Sequence, residues 1–170
     1  MSIQTEIERK YIIEKPSESD LAKMQGFTKS EILQIYLENT ESGATHRIRK
    51  RAFAGGDVEY TENTKQRIDE MSVIECEDRI SEEEFCRLSK KIDKTTTPIL
   101  KTRYTFLYKG KTLEFDLYPL WKSSCIMEVE LESREESFEV PDFIKVIKEV
   151  TGDTRYSNHS MTRVFPEEII

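Results

Sequence analysis

The chain has 170 residues, 35% of them charged and 36% hydrophobic, with a net charge of −7. That length suits one domain spanning 1–170 with a real core, and the acidic balance argues against a general nucleic-acid binder. Three cysteines at no metal-ligand spacing, no basic-then-apolar leader in Met1-Ser2-Ile3-Gln4 and no membrane-length apolar run together predict a cytoplasmic protein with reduced thiols and no membrane partner.

Apolar residues recur in patterned segments, so the polarity does not read as disorder. The first strand is predicted over 5–13, and Ser17 or Ser19 caps a short helix through Met24, ended by Gly26. A second strand follows over 30–39, a turn at Glu41-Ser42-Gly43, and a third strand over 45–53. Gly55-Gly56-Asp57 is a hairpin turn returning as a fourth strand over 58–67. A fifth strand covers 72–80, and Ser81 with Glu82, Glu83 and Glu84 opens a helix to about Ile92. Its apolar stripe is Phe85, Leu88 and Ile92. Strands over 100–108 and 112–118 flank the turn Lys109-Gly110-Lys111, and the last strand covers 125–132. Pro141 begins a helix to about Val150, stopped at Thr151-Gly152-Asp153. About eight strands joined mostly by hairpins predict a mainly β (α+β) domain, an antiparallel barrel with a few covering helices.

Successive strand side chains point to opposite faces, so parity sorts them. Glu6, Glu8 and Lys10 share a face; so do Arg47, Arg49 and Arg51, and Lys65 with Arg67. Glu75 pairs with Glu77, Lys101 with Arg103, Glu114 with Asp116, and Glu128 with Glu130 and Glu132. Opposite them run apolar faces such as Met127, Val129 and Leu131. An ordinary antiparallel sheet with one solvated face produces the same alternation. What it explains less well is the sorting of sign, since soluble surfaces usually mix both. A barrel lumen with acidic and basic walls accounts for that sorting, with apolar outer faces covered by Phe85, Leu88, Phe143, Ile144 and Ile147. Alternation alone leaves both arrangements open. No Walker-type phosphate loop, nucleophile elbow or zinc-ligand set is present.

These residues, taken in order, resemble the CYTH family, the triphosphate tunnel metalloenzymes. The similarity runs through Glu6-Ile7-Glu8-Arg9-Lys10, Arg47-Ile48-Arg49, Lys65, Glu75-Cys76-Glu77 and Lys101-Thr102-Arg103-Tyr104. It continues through Glu114-Phe115-Asp116, Glu128-Val129-Glu130 and the tail Arg155-Tyr156-Ser157-Asn158. The resemblance implies an eight-stranded tunnel binding a linear triphosphate with Mg2+ or Mn2+. By that resemblance Glu6, Glu8, Lys10 and Glu130 are catalytic, and Glu6, Glu8, Asp116, Glu128 and Glu130 are metal ligands. Lys10, Arg47, Arg49, Lys65, Lys101 and Arg103 grip phosphate, which suits the bidentate fork of arginine. Glu75 and Glu77 are candidates for a second metal or for orienting water. Arg9 is expected to face outward and be dispensable, His46 to be a bystander, and Tyr156 and Asn158 to cap the tunnel. His159 is left uncommitted. The implied activity is hydrolysis of a triphosphate, first inorganic tripolyphosphate, with thiamine or nucleoside triphosphates and adenylate cyclisation as alternatives. A polyphosphate-binding module without turnover is the reading from another class. The expected partner is the small-molecule substrate, and a homodimer stays open.

Overall fold

The computed structural model describes residues 2–39 and 43–169, so the predicted turn residues Glu41 and Ser42 lie outside the described residues. The alternating segments become β1 (Ser2–Glu14), β2 (Thr28–Tyr36), β3 (Ala44–Phe53) and β4 (Val58–Arg67). They continue as β5 (Ser72–Arg79), β6 (Ile99–Tyr108), β7 (Lys111–Leu117) and β8 (Ser124–Leu131). The strand order is β5-β4-β3-β2-β6-β7-β8-β1, and β1 pairs back onto β5, closing an eight-stranded antiparallel barrel. Closure leaves no unpaired sheet edge within that ring.

The long first strand performs the closure by serving two neighbours. Its first half pairs with β5, from Ser2↔Glu77 to Ile7↔Ser72, and its second half pairs with β8, from Ile7↔Leu131 to Glu14↔Ser124. Beyond Ile7, β1 has left β5, and backbone groups on that edge need partners. A short strand, β9 (Val146–Glu149), supplies them through Tyr11↔Glu149 and Ile12↔Lys148. This corrects the helix predicted over 141–150. Pro141 begins only a turn, with Ile144 N donating to Pro141 O at 2.9 Å, and the open edge of β1 captures the next residues as a strand. The hairpin between β6 and β7 places Lys109 at φ 46° and Gly110 at φ 80°, both left-handed, as a two-residue turn of matching twist requires.

The helices are brief. The predicted first helix shrinks to α1 (Glu18–Leu21), and the second, α2 (Glu82–Ser89), stops short of Ile92, which bridges instead to Leu37. Ser17 and Ser81 accept at the two N-caps as their positions predict. Two further short segments, a 3-10 turn at Thr154–Tyr156 and α3 (Asn158–Met161), lie near the C-terminus.

The fold is turned inside out relative to an ordinary barrel. Tyr11, Ile13, Phe106, Leu113, Phe115 and Met127 face outward and are covered by Leu21, Met24 and Phe27 on one side and Phe138, Phe143 and Ile144 on the other. A second outer cluster sets Ile35, Leu37 and Ile48 under Phe85 and Leu88 of α2. Burying each large side chain contributes roughly 1.5–3 kcal/mol, so these covers stabilise a barrel whose interior is polar. Ile147 also packs, but in a third cluster where Ile12, Ile99, Tyr118 and Ile126 meet Trp121, Val150, Tyr156 and Met161. Ile12 and Ile126 share parity with the charged residues of their strands, so this cluster seals one end of the lumen.

Candidate functional site

Topology gives the sorted charges their arrangement. The acidic strands β5, β1, β8 and β7 are consecutive around the barrel, and so are β4, β3, β2 and β6, of which all but β2 carry basic side chains inward. Two charged walls therefore face each other across a cavity of about 670 Å³. Glu6, Glu8, Glu75, Glu77, Glu114, Glu128 and Glu130 line one side; Arg47, Arg49, Arg51, Lys65, Arg67 and Arg103 line the other. Lys10 stands within the acidic wall.

Ion pairs form along the seams. Where β4 meets β5, Lys65 Nζ lies 3.5 Å from Glu6 and 3.7 Å from Glu75, Arg47 lies 3.7 Å from Glu75, and Arg49 lies 3.3 Å from Glu77. Asn63 donates to both Glu75 and Glu77. Within the acidic wall Lys10 pairs with Glu128 at 3.1 Å and donates to the Tyr156 carbonyl at 3.2 Å. At the opposite seam Asp116 receives Lys101 at 2.8 Å and Arg103 through a two-pronged contact at 2.7 and 2.9 Å, while Arg103 also reaches Glu114 at 2.5 Å.

Crowding shapes the ionisation of these groups. Burial and a hydrogen bond shared with Glu75 push Glu6 up to about 8, against the pull of Lys65. Burial also raises Glu75, but the proton shared with Glu6 and the charges of Lys65 and Arg47 outweigh it and hold Glu75 at about 2. The pair thus keeps one proton between two carboxyl groups. Glu8 is raised by the Glu128 charge and by burial, and Glu130 by burial and the charges of Glu114 and Glu75. On the basic wall, burial and the neighbouring Arg47 and Arg103 bring Arg49 down to about 10. One carboxylate at Asp116 serves two buried cations. Burial pulls Lys101 down to about 8 with help from Arg103, against Asp116, while Arg103 and Lys101 overcome burial to hold Asp116 far below the usual range.

The predicted residues consequently divide. Glu6, Glu8, Lys10, Arg47, Arg49, Lys65, Glu75, Glu77, Arg103, Glu128 and Glu130 all line the cavity. Asp116 and Lys101 do not: at 1% and 3% exposure they are spent on each other and on Arg103. In this structure Asp116, expected as a metal ligand, is a buried counter-ion, and Lys101, expected to grip phosphate, is its partner. Arg9 does face outward, yet its two contacts to Glu149, at 2.9 and 2.8 Å, tie β9 to β1. His46 lies outside the cavity against Glu62 at 2.7 Å. Tyr156 belongs to the sealing cluster, and Asn158 accepts from Tyr118 Oη at 2.8 Å.

Neutral lumen residues escaped the reading of charges. Gln34 and Tyr36 of β2, Asn63 of β4, and Ser157 and His159 of the seal carry no sign to sort. For the strand residues the signal was parity, since Ser30, Gln34 and Tyr36 share a face of β2 and Asn63 shares one with Lys65, while Ser157 stood within the tail Arg155-Tyr156-Ser157-Asn158.

A divalent ion fits this site by donor chemistry. Glu6, Glu8, Glu128 and Glu130 offer only hard carboxylate oxygens, as Mg2+ and Mn2+ require, and the raised values of Glu6, Glu8 and Glu130 mark a wall short of positive charge. Among the described residues no three acidic groups yet converge on one point, so the donors would have to draw together around an ion.

Neither a family model nor a curated protein sequence matches this chain. Solved structures do. The inorganic triphosphatase NE1496 is similar over 95% of this chain and 97% of its own, at 25% identity and a TM-score of 0.59. The PH1012 protein from Pyrococcus horikoshii OT3 is similar in fold over 76% of this chain and 81% of its own, at 18% identity and a TM-score of 0.56. HpAC1 from Hippeastrum, an adenylyl cyclase candidate described as having a dominant triphosphatase activity, covers 76% of this chain and 81% of its own at 15% identity and a TM-score of 0.50.

Proposed function

From the premise that this chain has the CYTH, or triphosphate tunnel, fold, we propose that it is a metal-dependent triphosphatase whose first substrate is inorganic tripolyphosphate. The observation that carries the reading is the single lumen in which a continuous acidic wall faces a continuous basic one. A linear polyanion needs the second wall, and a divalent counter-ion needs the first.

On this reading Arg47, Arg49, Lys65 and Arg103 donate to phosphoryl oxygens, with the guanidinium forks matching pairs of oxygens. Lys10 sits beside Glu8 and Glu128, so it neutralises charge where substrate and carboxylates meet. Glu6, Glu8 and Glu130, with Glu128, would hold Mg2+ or Mn2+. When bound, that ion supplies charge neutralisation at the phosphoryl oxygens and a lower pKa for water. The basic wall is preorganised by its seam contacts, so its donors stabilise the charge that builds on the transferring phosphoryl group without reorganising. Glu6 keeps its proton up to about 8, so it must give that proton up before it can hold the ion or accept a proton from an attacking water. Glu75 and Glu77, engaged by Asn63, Lys65 and Arg49, hold those bases in position. The protein would act alone on a small molecule, without nucleic acid. Among the described residues no helix is long and apolar enough to cross a membrane.

The test is incubation with tripolyphosphate, ATP or thiamine triphosphate in Mg2+ or Mn2+, with phosphate and cyclic AMP both measured. Phosphate released fastest from tripolyphosphate is the expected result. Cyclic AMP from ATP would replace the reading with a cyclase, and tight binding without product would replace it with a polyphosphate-binding module.

A further inference from the structure

Among the described residues three buried neutral side chains of β2 and β4, Gln34, Thr61 and Asn63, keep a polar atom without a partner, and of these Gln34 lines the cavity. Gln34 is fully buried, lines the cavity and donates from Nε2 to Tyr36 Oη at 3.1 Å, yet its Oε1 meets no partner. A buried carbonyl without a donor is costly, because it forfeits its bonds to water. Its register partners are Arg49 on β3 and Ile99 on β6, and the next inward charges on those strands are Arg47 and Lys101. Lys101 is committed to Asp116, and Arg49 contacts Glu77. Tyr36 packs against His159 of the sealing segment, ring centroids 4.9 Å apart and planes tilted by 54°, so Gln34 stands toward the closed end of the lumen.

A ligand held by arginines is asked almost everywhere for acceptors; at Gln34 it is asked for a donor. An inner phosphoryl of a chain has no second ionisable oxygen and is stripped of its proton well below neutrality. A terminal phosphoryl keeps a second proton until about pH 6, and so presents P–O–H at near-neutral pH. We infer that Gln34 is a specificity-determining residue that recognises the end of a linear phosphate chain, its Oε1 accepting from the protonated oxygen of the terminal phosphoryl. Arg47 and Arg49 donate to the ionised oxygens of the same group, and Tyr36 keeps the amide turned with its carbonyl free. The inference rests on the triphosphate reading above and adds the orientation of the chain, end against the seal.

Cyclic trimetaphosphate has three phosphoryl groups and no end, which makes it the natural comparison for linear tripolyphosphate. Binding of both is measured by calorimetry near pH 6.5, in Mg2+ and in chelator, for the wild type, Gln34→Met and Tyr36→Phe. The wild type should favour the linear chain. Gln34→Met should weaken the linear chain roughly three- to tenfold, the worth of one hydrogen bond, and leave the cyclic one unchanged. Tyr36→Phe retains the carbonyl but frees the amide to turn, so it should narrow the same preference, and it carries the test should Gln34→Met fail to fold. Equal weakening of both ligands would mean that the amide donates N–H instead, and would overturn the inference, as would no change in either. If the wild type binds neither compound, the triphosphate reading itself fails; if it binds both and the variants match it, only the role of Gln34 does.

Discussion

Asp116→Asn separates two roles open to an acidic residue at this position. In the structure its carboxylate is 1% exposed and receives three donor contacts, from Lys101 Nζ at 2.8 Å and from Arg103 Nε and Nη2 at 2.7 and 2.9 Å. An asparagine of the same shape keeps one acceptor but removes the charge that pairs with Lys101 at 2.8 Å. Breaking a buried pair by deleting one partner costs about 3–5 kcal/mol, because the other charge stays desolvated. For a chain of this size that corresponds to a melting point lower by roughly 6–20 °C. Urea and thermal unfolding of the metal-free protein measure it directly. The pH dependence adds a second signature. A carboxylate held below its unfolded value of about 4 contributes stability above that value and loses it as pH falls through the folded value. Wild-type stability should therefore fall more steeply below pH 4 than that of the variant. Unfolding within about 1 kcal/mol of wild type, together with metal affinity reduced more than tenfold, would refute the counter-ion role and make Asp116 a ligand.

Because Glu6 keeps its proton up to about 8, a divalent ion must displace that proton, and apparent metal affinity should rise about tenfold per pH unit between 5.5 and 7.5; a flat profile by calorimetry would remove Glu6 from the donor set. The sign for folding is opposite. A carboxyl raised above its unfolded value stabilises most below about pH 4.5 and loses that contribution as pH rises toward 8, so the metal-free protein should melt lower at pH 8 than at pH 6, with Glu6→Gln flattening the difference. Arg49→Ala should raise KM for tripolyphosphate about tenfold or more, consistent with loss of a charge-assisted contact, while Arg49→Lys restores only part, as steady-state kinetics can show. Leu88→Ala, at 5% exposure on the buried side of α2, should cost about 2–5 kcal/mol in urea unfolding while leaving kcat for the folded enzyme unchanged, since it packs against the outside of the barrel, away from the lumen.

Much of the lumen was readable before any coordinates. Glu6 with Glu8, Arg47 with Arg49 and Glu128 with Glu130 share faces because β side chains repeat every second residue, and the structure puts all six into one cavity. Asp116 and Lys101 had the same parity and a different fate. Nothing local distinguishes a charge that faces solvent from one consumed by a neighbour across a seam, since that depends on Arg103 lying opposite Asp116 in the β6–β7 register. Gln34, Tyr36 and Asn63 were passed over because sorting by sign cannot see a neutral group.

Segment 141–150 shows the limit from the other direction. Pro141 at a helix start and an apolar spacing through Phe143, Ile144 and Ile147 describe a helix locally. The strand β9 forms instead because β1 outruns β5 after Ile7 and exposes backbone groups that need partners, which β9 supplies at Tyr11 to Ile13 while Met71, Val150 and Thr151 serve Glu8 and Lys10. Side-chain alternation, turn residues and helix caps are short-range properties, so the sequence by itself determined the eight barrel strands, which side of most of them is charged, and the helix start at Ser81, and narrowed the other start to Ser17 or Ser19. Which strands become neighbours is a long-range property. The closed order β5-β4-β3-β2-β6-β7-β8-β1 gathers separate acidic and basic segments into two facing walls, and only tertiary structure could decide that, because the energy of a charge is set by what stands across from it.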